Sequence, residues 1–469
     1  MIGKRSKAFV VFLILVGLIV ILIASAAYSL TINPVYDLAK TAEGKFLAKN
    51  YDELKVGEEG FSSLGKFSLL DSSVKGKEVF LTGENHATNA NAELELEFLK
   101  YFYNEAGVRY YLQELSPSDA AFLNEYLETG NEEILREVFA PFEGTAGWTQ
   151  ENYEKYRQVY AFNRSLPENE KIRFVGVDLE HQIANAYRYL YWALPETEAP
   201  SEIAPIIDKL KVTYQEADLG HSSADWEQLR NLALELQDSI KANYGVYQNY
   251  LGDKFFEFEL VVENTLYGID FHYGNYKDDV KFREKVIYDN FKKQYEQLGE
   301  GAFYGQFGGY HVVQQDDHFA GYLNNSADSP VKGKVLSIRY LYQESAFSVP
   351  QGDGTYKVEH LTNYDWSHDE FDIFPKYGYT LFKLTGSDSP FAQDLIWFET
   401  KGKPPDGVTT DYYQYFVLIR NSPAQTPLGS NTLTAETSYQ NEYLVRTNIA
   451  SGKSQNFEGE KLGQRFIPR

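Results

Sequence analysis

The chain has no cysteine. That removes disulfides, thiolate metal sites and a Cys nucleophile together, while leaving the compartment open, because a large domain folds outside the cytoplasm without staples. Positive charge is also in deficit. The 44 Lys and Arg face 67 Asp and Glu, a net charge of -23. Nucleic acid is therefore not an expected partner, since phosphate binding needs a basic face. There is no Gly-x-Ser-x-Gly elbow, which argues against serine-hydrolase chemistry. No dinucleotide fingerprint follows a strand, and residues 60–66 imitate a phosphate loop only until Phe67 stands where Ser or Thr is needed. Internal repeats are absent as well.

What is present begins with an apolar run over residues 8–27, whose only polar residue is Ser25. About 20 residues at 1.5 Å each match the thickness of a bilayer. Lys4, Arg5 and Lys7 precede the run, so the remainder is expected outside the cytoplasmic membrane, periplasmic or at the cell surface. Ala24-Ser25-Ala26 resembles a signal-peptidase site, but the run is longer than a usual signal core. Residues 1–30 are expected as a transmembrane anchor or signal sequence, with the retained anchor preferred.

Residues 31–74 read as a spacer with short helical pieces. From residue 75 a βα rhythm sets in, which predicts an α/β fold with a mostly parallel central sheet flanked by helices. Strands are expected at 79–82, 108–113, 172–177, 302–307, 335–340, 379–384 and 413–419. Ser116 followed by Pro117 and Asp119 is a helix start. The stretch 182–298 breaks the rhythm. Leu229, Leu232, Leu236 and Ile240 recur at helical spacing, which predicts a helical insertion. The α/β domain is expected to end near residue 428, and the polar segment 429–469 reads as a tail or an edge hairpin.

Two motifs carry the chemistry. Gly83-Glu84-Asn85-His86 and Gly308-Gly309-Tyr310-His311 are both Gly-x-x-His, and each closes a predicted strand. A Gly past a strand lets the chain turn sharply, which presents the His at the carboxyl edge, where open α/β sheets bind ligands. Two more strands end in acids, Glu114 and Asp178. If these strands are parallel neighbours, Glu84, His86, Glu114, Asp178 and His311 share one crevice. Two chemistries fit such a set. Imidazole and carboxylate can ligate a divalent cation such as zinc, manganese or iron, with His86, His311, Glu84 and Asp178 as donors. Alternatively a His paired to a carboxylate acts as general base on water with no metal. Glu114 and Asp178 also stand where a helix cap would. Asp316, Asp317 and His318 read as a solvated loop, and His221, His272, His360 and His368 have no distinguishing context.

These residues resemble the superfamily that holds ChaN-like haem-uptake lipoproteins, Tiki-type metalloproteases and erythromycin esterases. Arg283-Glu284 with Asn290 in a predicted helix, and Gly308-Gly309-Tyr310-His311-Val312, match its later motifs in order. The segment from Asp411-Tyr412-Tyr413 to Thr426-Pro427-Leu428 is similar to the closing strand and loop of the esterase branch. The resemblance spans roughly residues 75–428. It implies a hydrolase cleaving an ester or amide bond of a small-molecule or peptide substrate. His86 would be base or ligand, Glu84 and Glu114 its acidic partners, His311 a second base or ligand, and Arg283 an oxyanion or substrate clamp. The ChaN-like branch implies the alternative of a non-catalytic haem- or iron-binding envelope protein. The esterase pattern usually places one more residue between the first Glu and His. Here Asn85 alone separates them, as in the ChaN-like and Tiki-type motif.

Overall fold

The structure is a computed structural model that describes residues 35, 38–57, 60–63, 68–216, 226–364, 369–376 and 378–429. The apolar run at 8–27 and the polar segment after residue 429 lie outside the described residues. Among those described, no helix is long and apolar enough to cross a membrane.

Eleven strands are present among the described residues: β1 Tyr51–Gly57, β2 Gly60–Ser63, β3 Val79–Glu84, β4 Val108–Gln113, β5 Arg173–Gly176, β6 Ala302–Gly308, β7 Val335–Gln343, β8 Ser345–Pro350, β9 Tyr356–Leu361, β10 Gly378–Lys383 and β11 Tyr415–Arg420. Nine form one sheet, in the order β2-β1-β10-β11-β7-β3-β6-β4-β5. From β11 to β5 every neighbouring pair is parallel, and β1, β2 and β10 extend the sheet antiparallel. All seven predicted strands exist. The spacer expectation was incomplete, because β1 and β2 fall within residues 31–74 and pair onto the sheet edge through β10. The β8–β9 hairpin was not anticipated.

The parallel strands read as continuous apolar runs because both faces are covered. On one face, Phe80, Tyr111, Tyr304 and Tyr340 pack beneath the helices Asn89–Ala106, Pro117–Thr129 and Gln150–Ser165. On the other, Val79, Leu81, Phe303 and Phe307 meet Ile287 and Phe291 of helix Val280–Leu298 and Phe319 of helix Phe319–Asn325. Much of the tyrosine is core: Tyr111, Tyr187, Tyr304, Tyr340 and Tyr342 are fully buried. The insertion is helical as expected, and Leu229, Leu232, Leu236 and Ile240 are buried. Its last helix, Val280–Leu298, is also the crossover that packs on the sheet ahead of β6.

The order of the central strands decides where a site can form. β6 enters between β3 and β4. After β3 the chain leaves to a helix on the first face, and after β6 to a helix on the second. Adjacent strands whose continuations part to opposite faces open a crevice at their carboxyl ends. His86 stands at one lip and His311 at the other.

Candidate functional site

The two Gly-x-x-His turns interlock, and this explains their glycines. A β-carbon on Gly83 would lie 2.1 Å from Val312 Cγ2, and one on Gly309 would lie 1.6 Å from Arg339 Nη1. Arg339 donates to the Gly83 carbonyl at 3.0 Å and grips Glu399 with a fork at 2.8 and 2.7 Å. A side chain on Gly83 would therefore enter the second turn, and one on Gly309 would displace the arginine of β7 that holds the Gly83 carbonyl.

In the first turn, Ala87 adopts φ 62°. A non-glycine residue there is strained and needs its surroundings to hold it. Its carbonyl accepts from Ser348 N at 3.2 Å and Gln425 N at 2.9 Å. Asn91 holds the turn from behind. Its amide donates to Glu84 Oε2 and, at 2.7 Å, to the Asn85 carbonyl, and its own oxygen accepts from Tyr342 Oη at 2.6 Å. Glu84 Oε1 in turn contacts His86 Nδ1. The negative charge of Glu84 pushes the His86 imidazole up to about 9, against the opposing effect of burial. The His86 side chain remains 56% exposed toward the crevice.

In the second turn, His311 sits between two carboxylates. Its Nε2 is 3.1 Å from Glu114 Oε1 and its Nδ1 is 2.5 Å from Glu284 Oε1. Burial alone would favour the neutral ring, yet Glu114 and Glu284 outweigh it and raise the group to about 10. His311 is therefore held as an imidazolium near neutral pH. The other oxygen of Glu284 accepts from Phe319 N at 2.6 Å, which anchors it to the following helix.

Arg283 completes the set. Its Nε and Nη2 fork onto Asp178 at 3.0 and 2.5 Å, and Nη2 also reaches Glu114 Oε1 at 2.8 Å. Burial would raise the Glu114 carboxyl, but His311, His86 and Arg283 together hold it well below the usual range. Asp178 is fully buried, and Arg283 and His181 likewise outweigh burial to keep it ionised.

The backbone N–H of Gly308 donates to Glu114 Oε2 at 2.5 Å. A β-carbon at Gly308 would stand 3.3 Å from His86 Nε2 and 3.5 Å from Glu114 Oε2. Both atoms therefore line a notch that glycine keeps open. His86 offers this notch its free nitrogen, while Nδ1 is occupied by Glu84.

All six residues singled out in the sequence meet at this edge, but two expected roles change. Among the described residues no group of three or more His, Asp and Glu is arranged to hold a metal ion. The proposed donors are engaged otherwise: Asp178 by Arg283, and Glu84 by His86 and Asn91. A guanidinium among these carboxylates also opposes a second cation. The metal set of His86, His311, Glu84 and Asp178 therefore does not fit. Arg283 is committed to two carboxylates, so the clamp role gives way to a structural hold on Glu114. His318 is likewise not solvated. It is 8% exposed, stacks on Tyr310 at 3.8 Å and contacts the Tyr310 carbonyl through Nδ1 at 2.9 Å. Glu180 points away, into Ser118 at 2.6 Å. His221 and His368 lie outside the described residues, and His360 is exposed on β9. Glu284, Asn91 and Tyr342 received no role from the sequence. Glu284 follows Arg283 directly, and residues one apart on a helix point in different directions, so adjacency did not suggest that both reach the crevice.

No protein-family model matches the chain, and no curated protein matches it in sequence. Solved structures do match in fold. A mutant of the erythromycin esterase EreC in its open conformation aligns with TM-score 0.61 at 12% identity, covering 82% of this chain and 100% of that one. A Bacillus cereus protein aligns with TM-score 0.59 at 16% identity over 83% of this chain and 99% of its own. A succinoglycan biosynthesis protein aligns with TM-score 0.57 at 15% identity over 82% of this chain and 97% of its own. At these identities the likeness establishes the fold, which agrees with the superfamily resemblance of the motifs.

Proposed function

We propose that this chain is an extracytoplasmic hydrolase that cleaves an ester or amide bond with a water activated by the His86–Glu84 pair. One observation carries the reading: Glu84 holds His86 Nδ1, and Nε2 faces the open notch over Gly308. A carboxylate on one imidazole nitrogen fixes the tautomer and leaves the other nitrogen to take a proton. In the reaction, the neutral ring removes a proton from water at Nε2 as the water oxygen adds to the carbonyl carbon. Glu84 stabilises the imidazolium that results, and the same proton then passes to the departing oxygen or nitrogen. Glu114, aligned by Gly308 N–H, Arg283 and His311, forms the polar far wall.

The cations His86, His311 and Arg283 face the carboxylates Glu84, Glu114, Asp178 and Glu284, so the site is nearly balanced in charge and suits a neutral small molecule or peptide. Nothing in the arrangement favours the haem- or iron-binding alternative. The location outside the membrane follows from Lys4, Arg5 and Lys7 ahead of the apolar run. Protease added to cells with only the outer barrier permeabilised and the cytoplasmic membrane intact should digest the chain, and full protection would overturn that orientation.

The fold shared with an erythromycin esterase makes macrolide lactones the first esters to test, followed by a panel of simple esters and amides. Products are read by mass spectrometry as the gain of one water. His86→Ala should lose at least about 10²-fold in rate, the lower end of a general base's contribution. It should cost about 1 kcal/mol or less in stability, as expected for a residue outside the core. Full activity in this variant on a substrate the wild type hydrolyses would overturn the catalytic reading.

A further inference from the structure

A second imidazole pair lies at the far end of the same chain of contacts, and the proposed hydrolysis uses neither ring. His181 follows β5, and His272 belongs to the last turn of the insertion helix Phe255–Tyr273. His181 Nδ1 and His272 Nε2 are 3.0 Å apart. On its other side, His181 Nε2 lies 3.4 Å from Asp178 Oδ2 and has no aligned hydrogen bond of its own.

The position of His181 on Asp178 matters because a carboxylate does not align itself. The last torsion of Asp is broad and roughly two-fold, so donors on both oxygens must set its plane. Oδ1 receives Leu179 N at 2.8 Å and Arg283 Nε at 3.0 Å. Oδ2 receives Arg283 Nη2, and His181 is the group beside it. Nη2 is also the nitrogen that reaches Glu114. His181 therefore bears on the carboxylate oxygen that shares Arg283 Nη2 with Glu114.

His272 is firmly held. Two residues earlier, Asp270 accepts from Arg230 at 2.9 and 3.3 Å, and the next residue, Tyr273, stacks on Trp226 at 4.6 Å. Burial, reinforced by His181 and Arg283 and opposed by Asp278 and Asp178, lowers His272 to about 4, so its ring is neutral near pH 7.

We propose that His181, oriented by His272, is a positioning residue that fixes Asp178 and so aims Arg283 at Glu114, making the docking of the helical insertion part of the crevice geometry. Only the activity arm of the test rests on the proposed hydrolysis.

The test uses the full chain carrying nitrogen-labelled arginine, with the Arg283 Nε–H resonance assigned as the one missing in Arg283→Lys. In His181→Ala and in His272→Phe, which keeps the ring packing, this resonance should move and its hydrogen exchange should quicken about tenfold, while the other arginines stay unchanged. His181→Gln, whose amide can donate to Asp178, should restore most of the native signal. On p-nitrophenyl acetate, kcat should fall about tenfold in the Ala and Phe variants with KM little changed, the scale of a small misalignment. An unmoved Arg283 resonance in folded His272→Phe overturns the proposal, as does a Gln variant no better than Ala. If His181→Ala does not fold, His272→Phe decides alone. If the wild type does not turn over the probe ester, the hydrolase reading is weakened and the arginine resonance still decides this inference.

Discussion

Replacing Glu84 by Gln separates the charge of the pair from its shape. The amide keeps an acceptor for Asn91, so the turn should stay in place. What goes is the largest influence raising His86 to about 9. Without it the group should return toward the ordinary value of about 6.5. In the wild type only about 1% of His86 is neutral at pH 7, given a value near 9. Since that fraction is the active base, kcat/KM should rise about tenfold per pH unit from pH 6 to 8 and level off above about 9. In Glu84→Gln the same rise should be complete near neutrality. Its plateau should lie about 10- to 100-fold below that of the wild type, because a less basic imidazole takes the proton less well. The assay is initial rate on any ester the enzyme hydrolyses across pH 6 to 10, with the His86 resonance titrated in parallel. A flat wild-type profile over pH 6 to 9, or a variant midpoint still near 9, would refute the reasoning. Stability is the wrong readout for this pair, because His86 is 56% exposed and solvent screens it.

His311→Asn should be far more damaging to the fold than His86→Ala. It leaves Glu284, which is fully buried, without its cation, at a cost of about 3–5 kcal/mol in urea unfolding. The wild-type His311 is raised to about 10, so its stabilisation is complete below about pH 6.5 and is lost as pH climbs through 10. A urea midpoint that declines over that window in the wild type and not in the variant would confirm the pairing, and parallel curves would refute it. Gly309→Ala forces a β-carbon to within 1.6 Å of Arg339 Nη1, so thermal unfolding should show a loss of about 1–3 kcal/mol, and an unchanged melt would contradict the close packing of Arg339 on the second turn. His318→Ala removes a buried ring beneath Tyr310 and should cost about 1 kcal/mol, whereas His360→Ala on the exposed hairpin should be neutral in the same melt.

The strand ends were legible because their signals are local. An apolar run closed by Gly reads the same whether or not its partners are known, so His86, His311, Glu114 and Asp178 stood out before any contact was seen. The helical insertion was legible for the same reason, through the spacing of Leu229, Leu232, Leu236 and Ile240. Strands β1 and β2 were not, since short polar strands at the margin of a sheet are defined by the neighbours they pair with. Chemistry at the crevice was harder still. A row of acids and imidazoles suits a metal or a network of ion pairs equally well in one dimension. The entry of β6 between β3 and β4 is accompanied by Glu284 on His311 and Arg283 on Asp178 and Glu114, and these ion pairs engage carboxylates that a metal would need. Likewise His181 and His272 became partners only when the insertion helix returned to the sheet edge. Residue type and local period decided which groups reach the edge. Which charge each group meets depends on contacts between residues far apart in the chain, and only tertiary packing sets those.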